Sequence, residues 1–390
     1  MIVYNESNVG IFATWENAKK RVFKLNIESG IARYADLFNM NYKRVNTLEG
    51  LVEEIDINQF QKDINNFSKK ISTIESVVYS KIVVIITLVK KCISREGKIY
   101  NNTNSLIYVT CITEHLCTNG KTQRVYSNSL LNPVSINEGF NILMKSIIKY
   151  IISHSEKHKY FPIDSVNRKV KTLYFTPNAA GMLLHESFGH LFEMDNYHFN
   201  KDIIREIFDM PTIKDLNISD DPSVTSIAGY MNVDDLGFQS NKLDIIRNGI
   251  ITDEILNGRR IKNKRISKYS SLWKYRVSNT IMLPGAIKKE DLLCDLNEYI
   301  YITKIDECFC DPITGRVVLP IVESYTSSNG KKKKILGPFL ISCSISDIWK
   351  SLNEITNEFE KGSILCGKFG DRIFVGTGAP GILLKDFDIR

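Results

Sequence analysis

The sequence contains no apolar run long enough to cross a membrane. Its longest near-continuous run, Ile82 to Val89, is interrupted by Thr87, whereas a spanning helix needs about 20 apolar residues. The first residues also lack the basic start and the long apolar stretch of a secretory signal. We therefore expect a cytoplasmic protein that does not span a membrane.

A strong excess of charge of one sign is absent as well. Lys and Arg number 51 against 44 Asp and Glu, which gives a formal net charge of +7 over 390 residues. Proteins that bind nucleic acid usually concentrate positive charge on one face, but here the basic residues are scattered, except for the run Lys331 to Lys334. A short lysine run is more often a solvated turn than a phosphate site. The charge pattern argues against a nucleic-acid partner.

A disulfide framework is not expected either. Without a secretory signal, the eight cysteines belong to a reducing compartment, where most of them should be small buried apolar residues. Cys308 and Cys310 form a C-x-C pair, which suggests metal or redox chemistry. Because this pair has no second C-x-C or C-x-x-C partner, a structural role is the favoured interpretation.

The order of sequence patterns predicts an α+β fold. A hydrophobic content of 43% is that of an ordinary globular protein, and the length of 390 residues favours two domains. We place an N-terminal α/β region at residues 1–165 and a β-rich domain at 166–390, with residues 1–70 mixed and mostly helical. The predicted elements are helices at Ile57–Ile71, Ser135–Ser153 and Ile345–Phe359, strands at Ser76–Val89, Leu106–Ile112 and Val170–Phe175, and hairpin turns at Asn119-Gly120, Asn248-Gly249 and Asn329-Gly330.

The helix predicted after Thr176 carries the most informative motif. Thr176 followed by Pro177 is typical of a helix start. At about 100° per residue, Leu and Phe side chains share one side of this helix and polar side chains share the other. The polar side consists of His185, Glu186, Gly189, His190 and Glu193. The C-terminal domain therefore holds a helix that buries its apolar side and presents two imidazoles and two carboxylates together.

The histidine spacing is H-E-x-x-x-H, one residue longer than the H-E-x-x-H of zinc peptidases. In an ideal helix, side chains five residues apart diverge by about 140°. His185 and His190 could therefore share one ion only if the turn were wound more loosely than an α-helix. Gly189, directly before His190, is where such a distortion costs least. The spacing alone is equally compatible with a polar surface helix whose histidines are unrelated.

A catalytic zinc site needs three protein ligands and an open position, and the two histidines supply two. Glu193, Asp195 and His198 are candidates for the third, as are a residue distant in the sequence and a Cys thiolate. The spacing of the residues does not choose among them.

Five segments form an ordered set of motifs: GMLLHESFGHLFEMD, NVDDLGFQSNKLDIIRNGII, RVSNTIMLPG, VESYTSSNGKK, and LCGKFG followed by GTGAPGILLKDF. Together they resemble the TldD/PmbA metallopeptidases, specifically the TldD-like branch, which carries H-E-x-x-x-H; the PmbA (TldE) branch lacks this metal motif. The resemblance covers roughly residues 75 to 390. Several motifs that agree in order over that length are far more specific than H-E-x-x-x-H alone.

The resemblance implies a zinc metallopeptidase that hydrolyses small or unfolded peptides. It makes His185, His190 and Cys366 the ligands of the cofactor Zn²⁺. Glu186 becomes the general base that activates a zinc-bound water to attack the peptide carbonyl, and Glu193 orients an imidazole. It further implies a dimer, formed either by two copies of the chain or with a TldE/PmbA-like protein.

The sequence departs from the family pattern in two places. Residues 1–70 match the family's longer N-terminal region poorly, so we expect a shortened N-terminal domain and an altered substrate chamber and partner contact. The letters S-F-G also stand between Glu186 and His190, where the family often has smaller residues. That change is tolerable because Phe188 falls on the apolar side of the helix.

Two other functions are compatible with the resemblance. The same site could mature peptide natural products, by removing leaders or by modifying a precursor. The family's older name, modulator of DNA gyrase, implies a non-enzymatic regulator of DNA topology instead. The intact metal motif and the scattered positive charge both argue against that second function.

Overall fold

The computed structural model describes residues 2–18, 20–33, 57–95, 98–116, 122–131, 136–155, 161–166, 170–196, 199–208, 213–225, 227–266, 273–368 and 371–389. The chain divides into two compact units. One comprises residues 1–159 with 235–238, and the other comprises residues 160–234 with 239–390.

The first unit combines an antiparallel sheet with two described helices. The strands are β1 (Ile2–Ala18), β2 (Lys20–Arg33), β3 (Val77–Arg95), β4 (Lys98–Leu116) and β5 (Thr122–Leu131), and the helices are α1 (Ile57–Ser72) and α2 (Ile136–Ser155). The sheet order is β2-β1-β3-β4-β5. The predicted helices at 57–71 and 135–153 and the β-rich stretch after residue 76 are confirmed. The predicted Asn119-Gly120 turn lies outside the described residues.

The prediction that residues 1–70 are mostly helical is wrong for residues 2–33. There the backbone forms β1 and β2, and β1 pairs with β3 from Ile2 opposite Arg95 to Asn17 opposite Ser80. Such pairing joins segments far apart in the chain, so helical periodicity within one segment does not reveal it.

Both helices of the first unit bury their apolar sides against the sheet. Ile64, Phe67 and Ile71 of α1 pack in one cluster with side chains of α2, β3 and β4. The α2 members of that cluster are Phe140, Leu143, Met144, Ile147 and Ile151. Apolar residues at helical spacing in 135–153, namely Phe140, Leu143, Ile147 and Ile151, are thus buried in this core.

In its described residues, the second unit contains two large sheets, one separate two-stranded antiparallel sheet and several short helices. Its strands are β6 (Leu173–Phe175), β7 (Ile218–Asp220), β8 (Leu243–Arg247), β9 (Ile250–Ile251), β10 (Lys264–Ile266), β11 (Trp273–Tyr275), β12 (Asn279–Met282), β13 (Tyr299–Ile305), β14 (Phe309–Asp311), β15 (Arg316–Ser328), β16 (Lys331–Leu336), β17 (Phe339–Ser344), β18 (Leu352–Ile355), β19 (Glu360–Lys368), β20 (Asp371–Ala379) and β21 (Ile382–Leu384). Its α-helices are α3 (Pro177–Leu184), α4 (Lys201–Phe208), α5 (Asp253–Leu256), α6 (Lys289–Cys294) and α7 (Ile345–Ser351). Short 3₁₀ turns cover Ile163–Ser165, His190–Phe192 and Met194–Asn196.

One sheet of this unit has the order β19-β20-β12-β7-β8-β9, and the other has the order β14-β15-β13-β6-β21-β18, with β16 and β17 also paired to β15. Strand pairs are mostly antiparallel, with β12-β20 and β13-β6 parallel. Helices and antiparallel hairpins in this arrangement confirm the α+β class.

Helix α3 lies between the two sheets. It contacts β12, β19 and β20 of one sheet and β6 and β13 of the other. Ala179, Ala180, Leu183 and Leu184 are buried in the large apolar cluster that joins the two sheets. Strand β6 begins three residues later than the predicted Val170 start, and it leads directly into this helix.

The two Asn-Gly turns predicted in the second half are confirmed. Asn248 and Gly249 have φ values of 51° and 76°, and Asn329 and Gly330 have 48° and 71°. These left-handed conformations are those that a two-residue hairpin requires and that Asn-Gly supplies at low cost. The exposed lysine run follows the second turn along β16, so the lysines are solvated on a strand that begins at the turn.

Helix α7 is shorter than the predicted Ile345–Phe359. Ser344 caps its start, and Ser344 and Asp347 form a reciprocal capping box. The helix ends at Ser351, and the next residues form β18, which pairs with β21. The apolar residues of 345–359 therefore belong first to a helix and then to a strand, not to one continuous helix.

No helix among the described residues has both the length and the apolar character that crossing a bilayer requires.

The buried face of α2 gives a direct test of the first unit's core. Ile147 is 0% exposed and Ile142, on the same helix, is 58% exposed. We expect Ile147→Ala to lower the free energy of unfolding by about 2–5 kcal/mol, because it leaves a cavity. Ile142→Ala should stay within about 0.5 kcal/mol of wild type. Denaturant unfolding measures both, and equal losses would contradict this assignment of the core.

Candidate metal centre

Strand β6 leads into the candidate centre through Thr176 and Pro177. Pro177 is the first residue of α3, as predicted, and it leaves no backbone N–H unpaired there. The Thr176 hydroxyl does not cap the helix. It donates instead to the Thr303 carbonyl, 3.3 Å away. This bond links the helix start to the neighbouring strand β13.

The motif H-E-x-x-x-H does not continue as an α-helix. Residues His185–Gly189 form a π-helical turn, and His190–Phe192 form a 3₁₀ turn. A π turn joins residues five apart, so it brings the two histidines onto one face. Their rings lie 4.8 Å apart between centroids at an angle of 73°. The loosened turn that the spacing required is therefore present.

Gly189 is the residue at which this turn allows close packing. A Cβ atom there would lie 3.0 Å from Thr280 Oγ1 and 3.3 Å from both His185 Nδ1 and Val277 Cγ1. Side chains of Thr280, Val277 and His185 therefore lie so close to Gly189 that a Cβ atom would require them to shift by a few tenths of an ångström. This is the position that the sequence singled out for the distortion.

The structure brings Cys366 of β19 to the two histidines. Its Sγ lies 3.2 Å from His185 Nε2 and 3.2 Å from His190 Nε2. The three donor atoms are all within 4.8 Å of one another, and all three residues are buried. The sequence-predicted set of His185, His190 and Cys366 is thus assembled from positions about 180 residues apart in the chain.

The donor set fits a zinc ion. Zinc binds imidazole nitrogen and thiolate sulfur, and ordinary bond lengths at a tetrahedral angle separate an S and an N donor by about 3.6 Å. The observed separations are slightly shorter. Burial alone would raise the pKa of the Cys366 thiol, but His190, His185 and Arg276 together lower that pKa well below its usual value. The sulfur therefore has the thiolate character of a metal ligand.

Both imidazoles turn the same nitrogen, Nε2, toward the sulfur, and their Nδ1 atoms face other groups. His190 Nδ1 lies 3.1 Å from Glu193 Oε2. A carboxylate only accepts, so Nδ1 carries a proton; in the neutral ring Nε2 is then the nitrogen that can bind a metal. His185 Nδ1 lies 3.5 Å from the Thr280 hydroxyl.

Glu193 is the centre of a buried charge network. Its Oε1 accepts the Val277 N–H at 3.1 Å, and its Oε2 accepts from Lys368 Nζ at 2.7 Å. Burial alone would raise the pKa of this carboxyl, but His190, Lys368 and Arg276 lower the pKa to about 2. Glu193 is therefore a fixed negative charge behind His190 and does not belong to the donor cluster.

Glu186 faces the same space as the donors. Its Oε2 lies 3.9 Å from His190 Nε2, and the residue is 8% exposed. Burial raises the pKa of this carboxyl above its usual value, although both histidines partly oppose the rise. A carboxylate whose pKa lies closer to neutrality suits a group that takes up and releases a proton.

The other described candidates for the third ligand are not grouped with the histidines. Asp195 instead accepts from Lys368 Nζ at 2.6 Å, and His198 lies outside the described residues. Cys308 and Cys310 are half-buried, and burial raises the pKa of both thiols. Within the described chain, the donors that cluster at metal-binding distance are those of His185, His190 and Cys366.

Three residues of the site received no role from the sequence: Arg276, Thr280 and Lys368. Arg276 and Thr280 belong to the segment RVSNTIMLPG, and Lys368 follows Cys366 by two residues in LCGKFG. The sequence signal that could have pointed to these three residues was their position inside segments that resemble the family. Their contacts with the histidines, with Cys366 and with Glu193 all span long stretches of sequence, which local patterns do not report.

Several known proteins are similar to this chain. A metalloprotease TldD homolog of Buchnera aphidicola subsp. Schizaphis graminum is 29% identical over 223 residues, which is 54% of this chain and 46% of that protein. A zinc metalloprotease TldD homolog of Saccharolobus solfataricus is 26% identical over 279 residues, or 65% of this chain and 57% of that protein. The chain spans about half the length of the curated relatives that it matches.

The fold is shared with a solved structure, TldE from Thermococcus kodakarensis. The TM-score is 0.67 at 11% identity, and the alignment covers 98% of this chain and 95% of that one. The family model described as the PmbA/TldA metallopeptidase C-terminal domain matches residues 168–390, which is more than half of the chain. The chain therefore belongs to the TldD/PmbA metallopeptidase family.

Proposed function

We propose that the protein is a zinc peptidase in which His185, His190 and Cys366 hold the metal and Glu186 is the general base. One observation carries this proposal. Two imidazole nitrogens and one sulfur, all buried, lie within 4.8 Å of one another, and a buried carboxylate oxygen lies 3.9 Å from one of those nitrogens.

A zinc ion in this place supplies Lewis-acid activation of water and of a carbonyl oxygen. Three protein ligands are the number typical of catalytic zinc, because they leave one position open. The zinc metalloprotease name of the Saccharolobus relative supports this choice of metal. We propose Zn²⁺ as the cofactor on that basis and on the two-histidine, one-thiolate donor set.

Glu186 moves the proton in this proposal. Its carboxylate accepts a proton from the attacking water and later delivers it to the leaving amine. Burial raises the pKa of the group above its usual value, which is the direction that favours a carboxyl group that both accepts and releases a proton.

Glu193 holds His190 in place. Its carboxylate accepts from Nδ1 and thereby fixes the tautomer and the ring orientation that leave Nε2 free. Lys368 and the Val277 N–H anchor the two oxygens of that carboxylate, so Glu193 cannot easily swing toward the metal.

The proposed substrates are small or unfolded peptides, held as an added β-strand that is read mainly through its backbone. The proposed partner is a second copy of the chain or a TldE-like protein, and the fold shared with TldE of Thermococcus kodakarensis supports the latter. We also propose a cytoplasmic location, which agrees with the free thiols of the described cysteines.

The proposed ligand set predicts the metal content of two matched variants. Wild-type protein should contain one zinc ion per chain by elemental analysis, and Cys366→Ser should lose it because the thiolate is removed. Cys343, another buried free thiol of the same unit, is the control. Cys343→Ser should keep its zinc, and a Cys366→Ser variant that also kept it would exclude Cys366 as a ligand.

If Glu186 is the general base, replacing it should reduce turnover without loss of the metal. Glu186→Gln removes the proton acceptor and should lower kcat about 10²- to 10⁴-fold with zinc retained. Cleavage of a mixed unfolded-peptide library, by chain purified with any co-eluting partner, measures the effect. Glu290→Gln, at an exposed carboxylate of α6, should be as active as wild type. Full activity of Glu186→Gln would refute the assignment.

The close packing around Gly189 predicts that one added methyl group at this position weakens the site. Alanine usually favours a helix over glycine by about 1 kcal/mol, but here its Cβ would crowd Thr280 and His185. We expect Gly189→Ala to cost about 1–3 kcal/mol of stability and to weaken zinc binding. Gly367→Ala is the control, since a Cβ there would meet no atom within 4 Å. Thermal unfolding and zinc titration compare the two, and indistinguishable behaviour would contradict the packing argument.

A further inference from the structure

One segment, residues 275–280, contacts four residues of the candidate centre through its backbone and side chains. It joins β11 to β12 and runs beside the π turn. Its contacts are Tyr275 O with Lys368 Nζ at 3.2 Å, Arg276 Nη2 with Cys366, Val277 N with Glu193 Oε1 at 3.1 Å, and Thr280 Oγ1 with His185 Nδ1 at 3.5 Å. Within this segment, Arg276 is the residue whose side chain carries a full positive charge and contacts a proposed ligand atom, Cys366 Sγ.

The Arg276 side chain is buried and directed at Cys366. It is 1% exposed, and its Nη2 donates to the Cys366 carbonyl at 2.9 Å and to the Cys366 Sγ at 3.0 Å. A guanidinium is almost never fully buried without a partner, because removing its charge from water is costly. The carbonyl and the sulfur of Cys366 are the hydrogen-bond partners of this buried group.

The two nearby cations have different partners: Lys368 pairs with carboxylates, and Arg276 contacts the sulfur of Cys366. Lys368 contacts the carboxylates of Glu193 and Asp195 at 2.7 and 2.6 Å. Arg276 Nε is 3.9 Å from Glu193 Oε1 and has no hydrogen-bond partner. Its contact with the Cys366 sulfur is therefore closer than its contact with the carboxylate.

We propose that Arg276 is a positioning residue that orients the Cys366 thiolate toward the metal and withdraws electron density from its sulfur. This inference rests on the proposed zinc site. A thiolate donates more charge to zinc than a carboxylate does and so makes the ion a weaker Lewis acid. A charge-assisted hydrogen bond to the sulfur offsets that donation. Arg276 thus raises the Lewis acidity of the metal through the Cys366 sulfur, without contacting the metal itself.

The test replaces zinc by cobalt(II), whose thiolate-to-metal charge-transfer absorption reports the sulfur directly. Wild-type chain should bind one cobalt ion and show this absorption. In Arg276→Met the absorption should move to lower energy, because the sulfur electrons are held less tightly. Arg276→Lys, which keeps a charged donor but loses the planar fork, should show a smaller move. With zinc bound, kcat of Arg276→Met should fall about 10- to 100-fold, as for other groups that orient metal ligands.

The matched control is Arg260→Met. Arg260 is also buried, at 5% exposure, and its Nη1 donates to the carbonyls of Ile255 and Arg259. Its replacement removes a buried guanidinium that is bonded to backbone oxygens, so the cobalt spectrum should equal that of wild type.

The outcomes separate this inference from the proposed function. An unshifted absorption in Arg276→Met overturns the role of Arg276 and leaves the zinc site standing. Wild-type protein that takes up no cobalt, or takes it up without thiolate absorption, overturns the zinc site and this inference with it. If Arg276→Met does not fold, the Arg276→Lys spectrum decides: a shift supports the role and an unchanged spectrum overturns it.

Discussion

Two histidines five residues apart would point in different directions on an α-helix, about 140° from each other. The backbone of His185–Gly189 resolves this constraint by widening into one π turn. Everything else in the centre depends on that turn, because Cys366 meets two imidazoles only when both face β19. Gly189 suits this turn, because Thr280 of β12 packs so closely there that a Cβ atom would force its neighbours to shift.

The charges around the turn explain why the centre is buried and still stable. Glu193, Arg276 and Lys368 have little or no contact with water, and each would be costly to bury alone. Together they form a connected network in which each cation meets an anion. Such a network holds its members in one geometry, since moving any one of them leaves another charge without its partner.

The scaffold supplies rigidity at the points where the network attaches. The first histidine follows α3, which is packed between two sheets. Cys366 lies on β19, and the stretch 275–280 leads into β12 of the same sheet. Groups held by packed helices and strands vary less in position than groups on loops, and this is what a site with several convergent side chains requires.

The sequence predicted several local features and the chemistry of the motif. Helical periodicity located α1 and α2, and Asn-Gly pairs located two described hairpin turns, because these signals lie within a few neighbouring residues. The spacing of H-E-x-x-x-H even indicated a loosened turn at Gly189. Local patterns were less successful for residues 2–33, where pairing with β3 determines the strands, and for residues 352–355, where pairing with β21 ends a helix.

Membership of the family, and with it the proposal of Cys366 as third ligand, came from motifs read along the chain. What the sequence by itself determined is therefore a set of candidate site residues: two histidines, two glutamates and one cysteine among eight. Only the tertiary structure decided which atoms meet. It placed the Cys366 sulfur 3.2 Å from both Nε2 atoms and brought Arg276 to that sulfur. Contacts between residues 90 to 181 positions apart arise from the packing of sheets around a helix, and no local pattern records them.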